Sequence, residues 1–444
     1  MRALALGSLA LLAAAGTAGA QDTTRPREGV TVELTYRPGV RPRLVVTPAP
    51  AELDSARAII QRDLDYSDRF ELIPIGSDAS VVLQRPNLPD PSGGTVNYAL
   101  YRTLGATYAV EVAPAAGGVQ LRLHDLNLGT VRREQTVALP PPDSPEYRME
   151  LHRAADEVVR WITGTPGIAA TRLLFVMGKR VYQVDSDGHG LTPLTGERVE
   201  ALSPAWAPDG RRFAYTQFGQ GRGTIMIEGP GGSRIAVAGT GEGLNYAPAF
   251  SPDGRTLAFA RSGPDGTTDI FAVDLAQNCC LRRLTVGRFA DNLSPTFSPD
   301  GRRIAFVSTR AGLPQVYVMA ADGTDQELFA PFDYGVTGSS NAPEWSPDGA
   351  SLAFHRDVAR APQIFVMDVA SRRVRQLTSS DRNEDPTWAP DGRHLAFVSE
   401  RSGRRQIWII DMETGRIRQI RTPGAVRLPS WSRRLGRAAA DTTP

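Results

Sequence analysis

From about residue 170 onward, short apolar runs alternate with turn residues, and one phrase returns at a nearly constant spacing. It runs from Pro204 to Gly210 (PAWAPDG), Pro248 to Gly254 (PAFSPDG), Pro295 to Gly301 (PTFSPDG), Pro343 to Gly349 (PEWSPDG) and Pro386 to Gly392 (PTWAPDG), and ends truncated at Pro429 to Ser432 (PSWS). The aromatic residues are 44, 47, 48, 43 and 43 positions apart. A period in the forties built from strand-like segments predicts β-propeller blades. Each repeat divides into four short strands, A to D. Strand A carries the aromatic residue, and Pro-Asp-Gly makes the tight turn that follows it, with proline presetting φ and glycine accepting positive φ. Strand B follows, as in Ile304–Val307 and Leu395–Val398. Strand C comes next, as in Gln315–Met319 and Gln406–Ile410, and strand D last, as in Leu281–Thr285. A strand B also stands ahead of the first full phrase, at Leu173–Val176. The ring therefore starts on B and ends on A, and the final phrase needs no Asp-Gly turn after Trp431. The pattern predicts an all-β six-bladed β-propeller over 171–432.

Residues 30–165 lack this period and predict a small α/β domain. Strands are expected at Val30–Leu34, Leu44–Thr47, Phe70–Ile73, Thr107–Val112, Val119–Leu123 and Val131–Ala138. Leu53, Ala56, Ile60 and Leu64 fall on one helical face, as do Leu151, Ala155, Val158 and Ile162. The second helix opens at Ser144-Pro145, a cap followed by proline in the first turn, and stops at Gly164. A shorter helix is expected from Val96 to Leu104. Pro86 to Gly94 reads as a loop, and Gly164–Gly167 as a hinge into the propeller. Met1–Ala20 has a basic start, an apolar run and small residues at Ala18 and Ala20, the pattern of a cleavable secretory signal. Its apolar run is shorter than the roughly 20 residues that span a bilayer. No cysteine follows it, which argues against a lipoprotein. A flexible arm is expected over 21–29 and a flexible tail over 433–444.

Composition narrows the chemistry. The 444 residues carry a net charge of +2, which argues against a nucleic-acid binder that neutralises many phosphates. Of the 50 basic residues only Lys179 is lysine, so lysine-based covalent and phosphate-loop chemistries have almost no candidates. No two of the five histidines lie within seven residues, no Gly-x-Ser-x-Gly elbow occurs, and the glycine clusters fall between blade strands. Neither a catalytic residue, a metal nor a cofactor is expected. Each Pro-Asp-Gly turn offers one carboxylate, where calcium needs six to eight oxygens, so these aspartates read as turn formers. The only two cysteines, Cys279 and Cys280, are adjacent. Their Cα atoms are about 3.8 Å apart, below the usual disulfide range, which favours two free thiols over a vicinal bond.

What remains is surface. The A-to-B and C-to-D turns emerge on one propeller face, and the D-to-A and B-to-C connections on the other. The D-to-A segments vary, as binding loops do. They place Tyr246, Leu293 and Leu428 beside asparagine and acidic side chains, a mix that suits a protein contact. The candidate partner-binding residues there are Tyr246, Ala247, Pro248, Leu293, Ser294, Asn341, Ala342, Glu384 and Asp385.

The layout resembles the TolB family of the Tol–Pal system. The resemblance is carried by the signal segment, the small α/β domain and the repeated phrase. It is also carried by Leu104–Val110, by Ala154–Val158 running through Thr163–Gly167 into Arg172–Val176, and by the closing Val426–Ser432. It implies a non-catalytic periplasmic adaptor that supports outer-membrane integrity and constriction at division. It implies a propeller face that binds a Pal-like peptidoglycan-associated lipoprotein, with Ala247 and Pro248 at the matching positions. An N-terminal strand would pair with a TolA-like inner-membrane protein through Val30, Val32 and Leu34. Leu293-Ser294 departs from the polar pair expected at its loop. The rival readings are a propeller enzyme, either a hydrolase or a metal-dependent lyase, and an envelope receptor for another ligand.

Overall fold

The computed structural model describes residues 41–75, 96–330 and 338–436. The signal segment, the arm, the Val30–Leu34 strand, the Pro86–Gly94 loop and the tail beyond Gly436 lie outside them.

The small domain is a five-stranded sheet in the order β2-β1-β3-β4-β5, with β1 Arg43–Val46, β2 Glu71–Leu72, β3 Tyr108–Ala115, β4 Gly118–Asp125 and β5 Thr130–Ala138. Strand β1 runs parallel to β2 and β3, and the other pairs are antiparallel. Two helices pack together on the sheet: α1 Asp54–Tyr66 and the longer α3 Pro145–Thr163, with the short α2 Tyr98–Thr103 between them in sequence. The expected apolar faces form the core, where Ile60, Leu64, Leu151 and Val158 are fully buried. The Ser144 hydroxyl accepts from the Glu146 N–H, and Gly164 ends α3 in the left-handed region at φ 82°. The expected strand Phe70–Ile73 shrinks to two residues, because Phe70 leaves the ladder to fill the core.

The second part is a β-propeller. Four four-stranded sheets are joined by an eight-stranded one spanning Glu200–Arg283, in which two four-stranded units are bridged at a single pair, Gly223 and Leu244. The closing sheet is made as the truncated phrase requires. Val426–Trp431 pairs antiparallel with Arg172–Met177, and Trp431 lies opposite Leu173. The turn aspartates act locally. Asp253, Asp300 and Asp348 each accept from the backbone N–H two residues on and from the preceding serine hydroxyl.

Three segments differ from expectation. Cys279 and Cys280 are bonded to each other. The chain turns through the left-handed region at Asn278 and Cys280, with φ 48° and 65°, and this brings the neighbouring side chains together. A thiol assay on the unfolded, unreduced protein is expected to find no free thiol, and one that titrates two would contradict the pairing. The tail begins as an anchored strap: Leu435 N–H donates to Ala170 O, Arg153 donates to Leu435 O and Gly436 O, and Arg434 donates to Pro166 O and Gly167 O. The linker is held from both sides, since the Asp156 carboxylate accepts from Ala169 and Ala170 N–H. Burial pushes that carboxyl up to about 7 against those two bonds.

Candidate protein-binding funnel

The D-to-A segments are not loops. They form the first half of each inner strand: Glu200–Trp206, Leu244–Phe250, Asn292–Phe297, Ser340–Trp345, Asn383–Trp388 and Val426–Trp431. The ladder with strand B continues through them and slips by one residue at the proline. At each slip two residues of strand A oppose one of strand B, which is a β-bulge. The residue before the proline is left-handed every time: Ser203, Ala247, Ser294, Ala342, Asp385 and Leu428 all have φ between 49° and 54°. Non-glycine residues avoid this region, and a following proline narrows their options further, so the bulge persists only because its surroundings impose it. Opposite the bulges sit Tyr215, Phe259, Phe306, Phe354, Phe397 and Phe175, all fully buried. Four of these rings pair with an aromatic residue of strand C, as Phe354 does with Phe365 at 6.0 Å. Guanidinium groups cover several of the same rings: Arg310 lies over Phe306 and Tyr317, Arg356 over Phe354 and Arg401 over Phe397. Arginine's planar, weakly hydrated head suits such stacking better than lysine's, which gives one physical use for the arginine bias.

The bulged strands enclose a central funnel of about 920 Å3. It brings together Tyr246, Ala247, Pro248, Ser294, Ala342 and Asp385. Leu293, Asn341 and Glu384 precede the left-handed residue on the same strands, paired with Val307, His355 and Val398. Val30, Val32 and Leu34 lie outside the described residues. The funnel also takes in Leu428, which the sequence singled out only as an apolar neighbour, and Ser203 and Glu344, which it did not single out. The repeat phase locates all three, because they stand at ring positions where other blades supply Ala247, Ser294 or Thr296.

The wall is not uniform. Ala205, Ala249, Thr296 and Ser430 line it at one ring position, where Glu344 stands in its own blade. Glu344 accepts from Trp388 N–H and the Thr387 hydroxyl, both at 3.1 Å. Burial outweighs these bonds and pushes its carboxyl up to about 7. Burial also raises Asp385, which accepts from Leu428 N–H at 3.3 Å, while His355 beside it is pushed down by burial. Glu384 pairs with Arg382 and Arg405. The carboxyls of Glu344 and Asp385 thus stand on neighbouring blades, and Arg433 and Arg434 line the funnel as well.

The small domain lies on the opposite side, against the A-to-B and C-to-D turns. Arg416 pairs with Asp65 and Asp68, and Arg69 with Asp391. Asp63, His152 and Asp187 come close enough there to hold a metal ion. However, guanidinium groups of Arg62 and Arg148 already occupy Asp187 Oδ2, so the group is built as an ion-pair cluster. Among the described residues these contacts fall on that side, and the D-to-A and B-to-C connections emerge on the other. On it, between Arg283 and Asn292, Val286 and Phe289 are 70% and 97% exposed.

Residues 159–331 and 334–439 match the family model described as the TolB beta propeller domain. The chain is 34% identical over 186 residues to the Tol-Pal system protein TolB of Methylococcus capsulatus, covering 39% of this chain and 42% of that protein. It is 33% identical over 240 residues to the Tol-Pal system protein TolB of an Anaeromyxobacter species, covering 50% of this chain and 51% of that protein. The chain thus spans about half the length of the curated relatives it matches. The crystal structure of TolB from Acinetobacter baumannii superposes with a TM-score of 0.74 at 24% identity, over 89% of this chain and 98% of that one, and shares its fold.

Proposed function

The chain belongs to the TolB β-propeller family, and from that premise we propose that it is a non-catalytic periplasmic adaptor of the Tol–Pal system. We count six blades, taking the eight-stranded sheet as two blades bridged at Gly223 and Leu244. The open mouth of the funnel receives a Pal-like outer-membrane lipoprotein, and the N-terminal strand pairs with a TolA-like inner-membrane protein by strand addition. The adaptor thereby supports outer-membrane integrity and constriction at division. A leader peptide directs it to the periplasm, and no described helix is long and apolar enough to cross a membrane. The observation that carries the reading is the ring of left-handed pre-proline residues around a funnel on the face away from the described contacts of the small domain.

The test is a pull-down with purified partners. Leu293→Asp is expected to weaken lipoprotein capture by about tenfold or more, as loss of an interface anchor does. Tyr246→Ala is expected to act alike but with some loss of stability, since its ring packs on the core beneath and its hydroxyl meets that of Thr268. Deleting residues 21–34 is expected to abolish capture of the TolA-like protein and spare the lipoprotein. The reverse pattern would reject the assignment of ends.

A further inference from the structure

Two fully buried histidines sit where the small domain meets the propeller, and they are arranged as mirror images. His152, on α3, places Nδ1 2.6 Å from Asp63 Oδ2 of its own domain. Its Nε2 has no hydrogen-bond partner among the described residues and faces the propeller carboxylates of Asp185 and Asp187 at 3.9 and 3.8 Å. His394, on the propeller strand His394–Ser399, places Nδ1 2.8 Å from Asp391 Oδ2 of its own domain. Its Nε2 lies 3.2 Å from Asp68 Oδ2 of the small domain. Each ring thus has one nitrogen on a carboxylate of its own domain and the other directed at a carboxylate across the boundary.

We propose that these two imidazoles form a proton-operated latch, holding the small domain on the propeller while both rings are protonated and loosening it when they are not. Only an imidazolium donates from both nitrogens. A neutral ring donates once and presents a lone pair at the other nitrogen. The own-domain contact is the shorter of the two in both cases, so the neutral tautomer keeps it. The contact that turns repulsive is the one between domains.

The surroundings set the direction. Around His394 stand Asp391, Asp68 and Asp411, with Arg69, Arg393, Arg416 and Arg434 as counter-charges. Burial pushes His394 down, but Asp391 and Asp68 outweigh it and lift the ring to about 9. Around His152 stand Asp63, Asp185 and Asp187, with Arg62, Arg148, Arg172, Arg418 and His189 among them. There too the carboxylates outweigh burial and raise the ring. Both values are raised above the ordinary 6.5, so the contribution to docking is complete below that pH and is lost as pH climbs through the folded values. The guanidinium pairs of the boundary stay charged throughout, and Asp156, at about 7, is ionised over the same range and tightens its hold on the linker. Loss of docking at alkaline pH would therefore trace to the two rings.

The test follows the full chain by small-angle X-ray scattering between pH 6 and 10, with histidine proton NMR on the same samples. The radius of gyration is expected to hold at pH 6 and rise as two histidine resonances titrate above the ordinary 6.5, that of His394 at about 9. The variant carrying His152→Gln and His394→Gln is expected to lose that step, and His124→Gln to keep it. A wild-type radius that is flat to pH 10, a double variant that keeps the step, or both rings titrating below pH 7 would overturn the proposal. The NMR readout on the wild-type chain decides the matter even if the double variant fails to fold.

Discussion

Trp431→Ala is expected to lower the stability of the protein by about 3–5 kcal/mol, the range for deleting a large buried aromatic side chain. Trp431 does more than fill space. Its indole N–H donates to the Thr171 hydroxyl at 2.8 Å, and its backbone N–H donates to the Thr387 hydroxyl of the preceding blade. It packs in one cluster with Phe175 and Val184 from the start of the propeller and Ala389, Ala396 and Ile407 from the preceding blade. It lies in the one sheet that joins the two ends of the ring. A cavity there loosens closure as well as packing. Trp408→Ala gives the comparison, because that ring is half-buried, its indole N–H has no hydrogen-bond partner among the described residues, and its sheet is continuous in sequence. Urea unfolding followed by circular dichroism measures both. Equal losses in the two variants would show that closure adds nothing to burial.

The closing strand is also where the sequence was most legible. A period in the forties, a phrase that loses Asp-Gly at its last copy, and an unpartnered strand B ahead of the first copy together require the pairing of Val426–Trp431 with Arg172–Met177. The two long helices were legible for a similar reason, since spacing on one face and Ser144-Pro145 with Gly164 at the ends are local signals. The inner half of each strand A was not. Proline removes a ladder donor and normally marks the end of a strand, so Leu244–Ala247 and its counterparts read as loops. The bulge absorbs the proline by letting two residues oppose one, and only the fully buried ring across the ladder, such as Phe259, gives a reason for it. The propeller candidates therefore fall on one ring of strands, where the sequence read loops. Glu344 was missed because it fills a place where the other blades carry small residues. The domain boundary was invisible for another reason. His394 and Asp68 are 326 positions apart, and neither stands in a motif. Charges that meet only through the fold leave no spacing to read.

That boundary supplies the second large effect. Arg393→Met is expected to cost about 3–5 kcal/mol at neutral pH, because it strands a buried carboxylate. Arg393 donates from Nε and Nη2 to the two oxygens of Asp411, which is fully buried, and reaches Glu413 with Nη1 at 2.6 Å. It also donates to the Asp68 carbonyl across the domain boundary. Burial pushes Asp411 up, and the bonds from Arg393 and Thr414 outweigh it and hold the carboxyl below its ordinary 3.8. A carboxylate lowered in the folded state contributes stability above its unfolded value and loses it as pH falls through the folded one. Without Arg393 the Asp411 carboxyl rises instead, so the variant is penalised most at pH 7. The gap to the wild type is expected to narrow as pH falls to about 4 and the stranded carboxyl takes up its proton. The variant carrying both Arg393→Met and Asp411→Leu removes both charges, and at pH 7 it is expected to recover much of the loss, as matched apolar replacements of buried pairs do. Chemical denaturation at pH 7 and pH 4 separates these cases. A loss that is the same at both pH values, or a double variant no better than the single, would mean that Arg393 acts through packing and its bond to Asp68 and not through the charge of Asp411.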